Sequence, residues 1–160
     1  MDEAIHEPTH EPTPTLAEAG RLRVDIHDAL VTAEEALSGP AAGREGEWAR
    51  EVIGALAHLR ETIEEHIEVT ERPAGLYDEI LENAPRLASA VQRLREEHPV
   101  LRDTTSETIA RLRTTPIGTT WSLEDARDDI QRLFGKIVRH RQLGADLVWE
   151  AYNLDIGGVE

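Results

Sequence analysis

Four stretches of this chain carry apolar residues at steps of three and four, the spacing that gathers one face of an α-helix. Valine-, isoleucine- and threonine-rich runs with the period of a strand are absent. The first stretch runs from Leu16 to Leu37 through Ala19, Ile26, Leu30 and Ala33, and Ser38-Gly39-Pro40 supplies the stop. The second begins at Trp48 and places Val52, Ala55, Leu56, Leu59, Ile63 and Ile67 on one face. It ends at Arg72-Pro73, because proline has no N–H to continue the ladder. Residues 73–84 read as a short amphipathic connector, and Pro85 suits the first position of the next helix. That third helix follows Leu87, Val91, Leu94, Leu101, Thr105 and Leu112, with a kink expected at Pro99. The fourth opens at Ser122, with Asp125 three residues on as a capping-box variant, and continues through Ala126, Ile130, Leu133, Ile137, Leu147 and Ala151. Short connections bring each helix back antiparallel to the last. The expected fold is therefore all-α: an antiparallel up-down-up-down four-helix bundle with a short extra helical connector between helices two and three.

A chain of 160 residues suits one core. Residues 1–15, with the repeat His6-Glu7-Pro8-Thr9 and His10-Glu11-Pro12-Thr13, read as a disordered acidic tail; residues 16–154 form the bundle and 155–160 a C-terminal tail. A formal net charge of -15 repels phosphate backbones, which argues against nucleic-acid partners. No apolar run reaches the length of a bilayer span, and Met1-Asp2-Glu3 is acidic where a secretory leader would be basic, so no membrane role and a cytoplasmic location are expected. With no cysteine, disulfides, thiolate nucleophiles and sulfur-ligated metals are excluded. A metal site here must use nitrogen and oxygen.

Seven histidines make that possibility concrete. Continued at helical steps, each stripe lands on one of them: His27 beside Ile26 and Leu30, His66 after Ile63, His98 between Leu94 and Leu101, and His140 after Ile137. Counted from the expected lower ends of their helices, His27, His98 and His140 stand level. His66 counts out too low unless helix two sits high on the connector. His58 has the better height but lies at the flank of the stripe, about 100° from Leu59, so phase favours His66. A lone core histidine is ordinarily satisfied by a carbonyl or water, but a layer of four needs more partners than the stripes offer. A metal ion satisfies several at once. The acids Glu61, Glu64, Glu65, Glu68 and Glu71 surrounding His66 are read as a solvated face.

These residues resemble the hemerythrin-like family, also called the HHE cation-binding domain. The resemblance covers residues 16 to about 154. His27 in VDIHDAL matches the first-helix ligand, His66 in EEHIEVTERP the second, His98 in REEHPVL the third-helix Glu-His pair, and His140 in VRHRQLG the fourth. It implies a non-haem di-iron centre that binds dioxygen or handles peroxide or nitric oxide, and four imidazoles without the family's two glutamates would hold one iron ion well and two poorly. The chain departs from the family where Thr70 and Gly144 stand four residues after His66 and His140, in place of two glutamates. Glu71 could substitute if the end of helix two is distorted; Tyr77 could reach in as a phenolate but reads first as an interface residue, Glu150 lies about two turns off and Asp146 points away.

The expected ligand set is thus His27, His66, Glu71, His98 and His140, and Gly144 either lets a neighbouring helix pack closely or leaves a gap beside the metal for a small ligand. Zinc or another divalent metal would also suit nitrogen and oxygen donors. No Ser-His-Asp, phosphate-loop or paired-carboxylate motif marks a larger substrate. The rival class is a non-catalytic helical module with a structural or degenerate metal site; Trp48, Trp121 and Trp149 could anchor it to a protein partner, and core edges account for them equally. A bis-histidine haem site ranks lower, because four clustered imidazoles would crowd it.

Overall fold

Pro14 starts the first helix two residues ahead of the expected position, because the Thr13 hydroxyl accepts a hydrogen bond from the Leu16 N–H at 3.2 Å and so caps the first turn. In this computed structural model, which describes residues 12–154, the helices are α1 (Pro14–Ser38), α2 (Glu45–Glu71), α3 (Leu76–Asn83), α4 (Ala88–Thr114) and α5 (Leu123–Trp149). A 3-10 turn, Pro85–Leu87, leads into α4, and a π-helical turn, Glu150–Leu154, follows α5. There is no strand among the described residues. His6 and His10 of the N-terminal repeat, and the expected C-terminal tail, lie outside them.

The four long helices form the expected bundle, with α3 as the helical connector. Ser122 caps α5 by accepting from the Asp125 N–H at 3.0 Å, as the capping-box spacing predicts. α4 continues without interruption across Pro99. α1 packs mainly on α2, α2 on α4 and α4 on α5, whereas α1 and α5 touch little. Trp48 and Trp121 sit within the core, their indole N–H groups donating to the Leu37 carbonyl and to Asp129, so they are not available as surface anchors. Trp149 is 55% exposed.

Burial divides the interior into two apolar clusters. The upper one gathers the C-terminal half of α1 with the N-terminal part of α2 and α5, and includes Trp48, Leu56, Ile109, Ile130 and Phe134. The lower one contains Leu22, Val69, Leu94 and Leu147, and is filled from below by Leu76, Tyr77 and Ile80 of α3. Ile80 is fully buried there, worth roughly 1.5–3 kcal/mol of stabilisation. The connector therefore packs under the end of α2 and lets that helix sit high.

The turn that delivers α3 is tight. The Gly75 N–H donates to the Arg72 carbonyl at 2.8 Å, and a Cβ at Gly75 would stand 2.6 Å from the Val69 carbonyl oxygen. Only glycine fits that approach. Ala74 beside it adopts φ 58, and its N–H is held at 2.9 Å by Asp78. Arg72 in turn pairs with Glu18 of α1 at 2.7 Å.

Candidate metal centre

Between the two apolar clusters, three helices turn polar at the same level. On α2, His66 stands between Ile63 of the upper cluster and Val69 of the lower. On α4, His98 stands between Leu94 below and Leu101 above, and on α5, His140 stands between Ile137 above and Leu147 below. Steps of three, four and seven keep each histidine on its buried stripe. Their ring centroids are 5.2, 5.5 and 4.9 Å apart, and one ring nitrogen from each lies within 4.8 Å of the others. His98 and His140 are buried and His66 is partly buried. These three imidazoles could hold a metal ion.

Carboxylates sit behind two of the rings. Glu71 Oε2 lies 3.0 Å from Nδ1 of His98, and Glu97 Oε2 lies 3.2 Å from Nδ1 of His140. A carboxylate only accepts, so both rings must carry their proton on Nδ1. Each neutral ring then presents the lone pair of Nε2. That lone pair on His98 meets the Tyr77 hydroxyl, which donates to it at 3.1 Å, while His140 Nε2 lies 3.4 Å from His66 Nε2. Nδ1 of His66 is buried with no hydrogen-bond partner.

The electrostatics keep the rings uncharged. Burial, reinforced by the neighbouring imidazoles and by nearby arginines, lowers His66 and His98 to about 3. Burial also lowers His140, against the opposing pull of Glu97. The Tyr77 phenol is pushed up, chiefly by burial. A neutral imidazole is the form that binds a metal, so no proton has to be displaced from these three near neutral pH.

Two expected ligands are placed elsewhere. His27 is exposed on α1, its Nδ1 2.9 Å from a guanidinium nitrogen of Arg141. It follows the buried Ile26 by one residue, about 100° around the helix, which carries it off the stripe formed by Leu22, Ile26, Ala33 and Leu37. At the level of the histidines α1 offers Arg23 instead, nine residues after Pro14 as His140 is nine before Trp149. Glu71 stays outside the cluster too. The end of α2 is regular, with the Arg72 N–H bonded to the Glu68 carbonyl at 2.9 Å, so Glu71 faces the far nitrogen of His98 rather than the space between the rings. His58 is exposed, as its phase predicts, and so is Glu150. Asp146 accepts from Gln142 on its own helix at 2.9 Å.

Thr70 and Gly144, four residues after His66 and His140, behave differently. Thr70 turns its hydroxyl back to donate to the His66 carbonyl at 2.8 Å. Gly144 has no atom within 4 Å of where a Cβ would stand and lines a cavity of about 20 Å³ together with Arg23, His66, Tyr77 and His140. This is room for about one water-sized molecule. Glu97 and Arg23 are the neighbours of the cluster that sequence periodicity does not pick out. A residue directly before an inward histidine points about 100° away from it, toward a neighbouring helix, and that was the available signal for Glu97.

No family model matches the chain, and no curated protein or solved structure is detectably similar to it.

Proposed function

We propose that this bundle binds a single metal ion through His66, His98 and His140, that the ion is iron, and that the protein binds or senses dioxygen, peroxide or nitric oxide. The observation that supports the reading best is the pairing of buried imidazoles with carboxylates on their far nitrogens. Metal-binding histidines characteristically donate the second ring N–H to such a partner, which fixes the tautomer and raises the basicity of the ligating nitrogen. One ion rather than two is supported by the donor count, since among the described residues no carboxylate joins the three histidines in the cluster. Iron is favoured by the sequence resemblance, and the donor set suits zinc as well.

With iron bound, an open coordination position would accept a diatomic or peroxide ligand. The chain's own residues define that position. Gly144 keeps space beside His140, apolar Leu76, Ile80 and Leu147 restrict water, and Arg23 brings positive charge to the same cavity. The guanidinium favours ligands that carry or develop negative charge. Metal analysis of untagged protein with a visible spectrum before and after azide or nitric oxide tests the proposal. It expects near-stoichiometric metal and a ligand-dependent spectrum.

A second reading, a polar layer that works without metal in a helical interaction module, is favoured by one observation. Tyr77 already occupies Nε2 of His98 with a hydrogen bond. The same metal analysis separates the two.

A further inference from the structure

We propose that Tyr77 is a fourth ligand, a phenolate that joins His66, His98 and His140 on the ion. This rests on the metal-binding reading and supplies the anionic oxygen that the three imidazoles lack.

The distances between donor atoms carry the argument. Two atoms bound to one ion at about 2.0–2.1 Å stand roughly 2.8–3.4 Å from each other in octahedral or tetrahedral geometry. Tyr77 Oη and His98 Nε2 are 3.1 Å apart, and His66 Nε2 and His140 Nε2 are 3.4 Å apart. Both separations are edges of a coordination polyhedron as well as hydrogen-bond lengths. The wider spacing across the cluster, up to 4.8 Å, has to shorten by side-chain movement for one ion to bind every donor.

Tyr77 is also held for the role. It is 3% exposed, its ring lies nearly parallel to that of His98 at 14° and 5.7 Å between centroids, and the Gly75 turn fixes the start of its helix. Glu71 anchors the far side of His98, so the pair cannot separate by rotation of that imidazole without losing a second hydrogen bond. Once the Nε2 lone pair of His98 is given to an ion, the buried Tyr77 hydroxyl loses that acceptor and is left with the Thr70 side chain beside it. Coordination removes that deficit: the O–H bond breaks, an oxygen–metal bond forms, the proton leaves to bulk water and no electron is transferred. Three neutral imidazoles leave the full charge of a ferric ion in a buried layer, and one phenolate reduces it by one.

The test is the visible and resonance Raman spectrum of the full chain loaded with ferric iron. Wild type is expected to show a phenolate-to-iron charge-transfer band and tyrosinate vibrations. Tyr77→Phe, which keeps the ring stack, is expected to lose both and to bind iron at least 10–100-fold more weakly. Tyr152→Phe, at the other tyrosine of the chain, is expected to keep both. Iron bound by wild type without a tyrosinate signature would overturn the assignment and leave the three-histidine site intact. Failure of wild type to bind iron would overturn both. The wild-type spectrum decides even if Tyr77→Phe does not fold.

Discussion

Nε2 of His66 on α2 and Nε2 of His140 on α5 face each other at 3.4 Å, their rings nearly perpendicular at 86°. The same sequence-distant pair flanks the one level at which both apolar clusters stop. Alanine at His66, His98 or His140 is therefore expected to abolish high-affinity metal binding. His27→Ala and His58→Ala are expected to leave it within about threefold, since both residues are exposed. Calorimetric titration of each variant checks this, and loss of binding in His27→Ala would show that the first helix contributes after all.

The outer carboxylates give a second expectation. Glu71→Gln and Glu97→Gln should each lower metal affinity about 10–100-fold, because an amide neither fixes the Nδ1–H tautomer as firmly nor adds basicity to Nε2. Glu68→Gln, at an exposed position on the same helix as Glu71, should do nothing measurable. Equal affinities for Glu71→Gln and Glu68→Gln would contradict an orienting role for Glu71.

Helical periodicity made the four long helices, the connector and the three clustered histidines, His66, His98 and His140, legible. His27 stands outside the cluster because a residue next to the buried Ile26 shares its neighbourhood in sequence but not its azimuth. Height alone could not correct this, as Arg23 at the level of the cluster has no ligand character. The role of Glu71 depended on whether the last turn of α2 unwinds, and that is settled by how Gly75 and α3 pack, a tertiary effect without a local sequence signal. The Tyr77–His98 contact is of the same kind.

Gly144 separates space from stability. Gly144→Ala should stabilise the protein by about 0.5–1 kcal/mol, since nothing stands within 4 Å of the new Cβ and alanine is the better helix former. Gly144→Glu should fill the cavity beside His140 and block azide binding to the metal-loaded protein. Thermal melting and azide titration measure the two effects; unchanged azide affinity in Gly144→Glu with metal retained would show that small ligands do not use this space.

The metal-free protein should lose stability in acid through its histidines. His66 and His98 titrate near 3 when folded and near the usual 6.5 when unfolded, so between those values the unfolded chain binds more protons. Their contribution is complete above about pH 6.5 and declines as pH falls toward about 3, with His140 acting in the same direction. Urea midpoints at pH 8 and pH 5 should differ more for wild type than for a His66→Gln, His98→Gln, His140→Gln variant. Parallel pH profiles would contradict the neutral, buried state of the layer.

The three-histidine site is tested most directly by metal stoichiometry in protein whose His6 and His10 have been changed to alanine, so that the N-terminal repeat contributes no imidazole. Titration with ferrous iron under anaerobic conditions, and with zinc, should give one ion per chain, and the further change His98→Ala should reduce this to none. Two ions per chain, or binding that survives His98→Ala, would contradict a single site built on His66, His98 and His140.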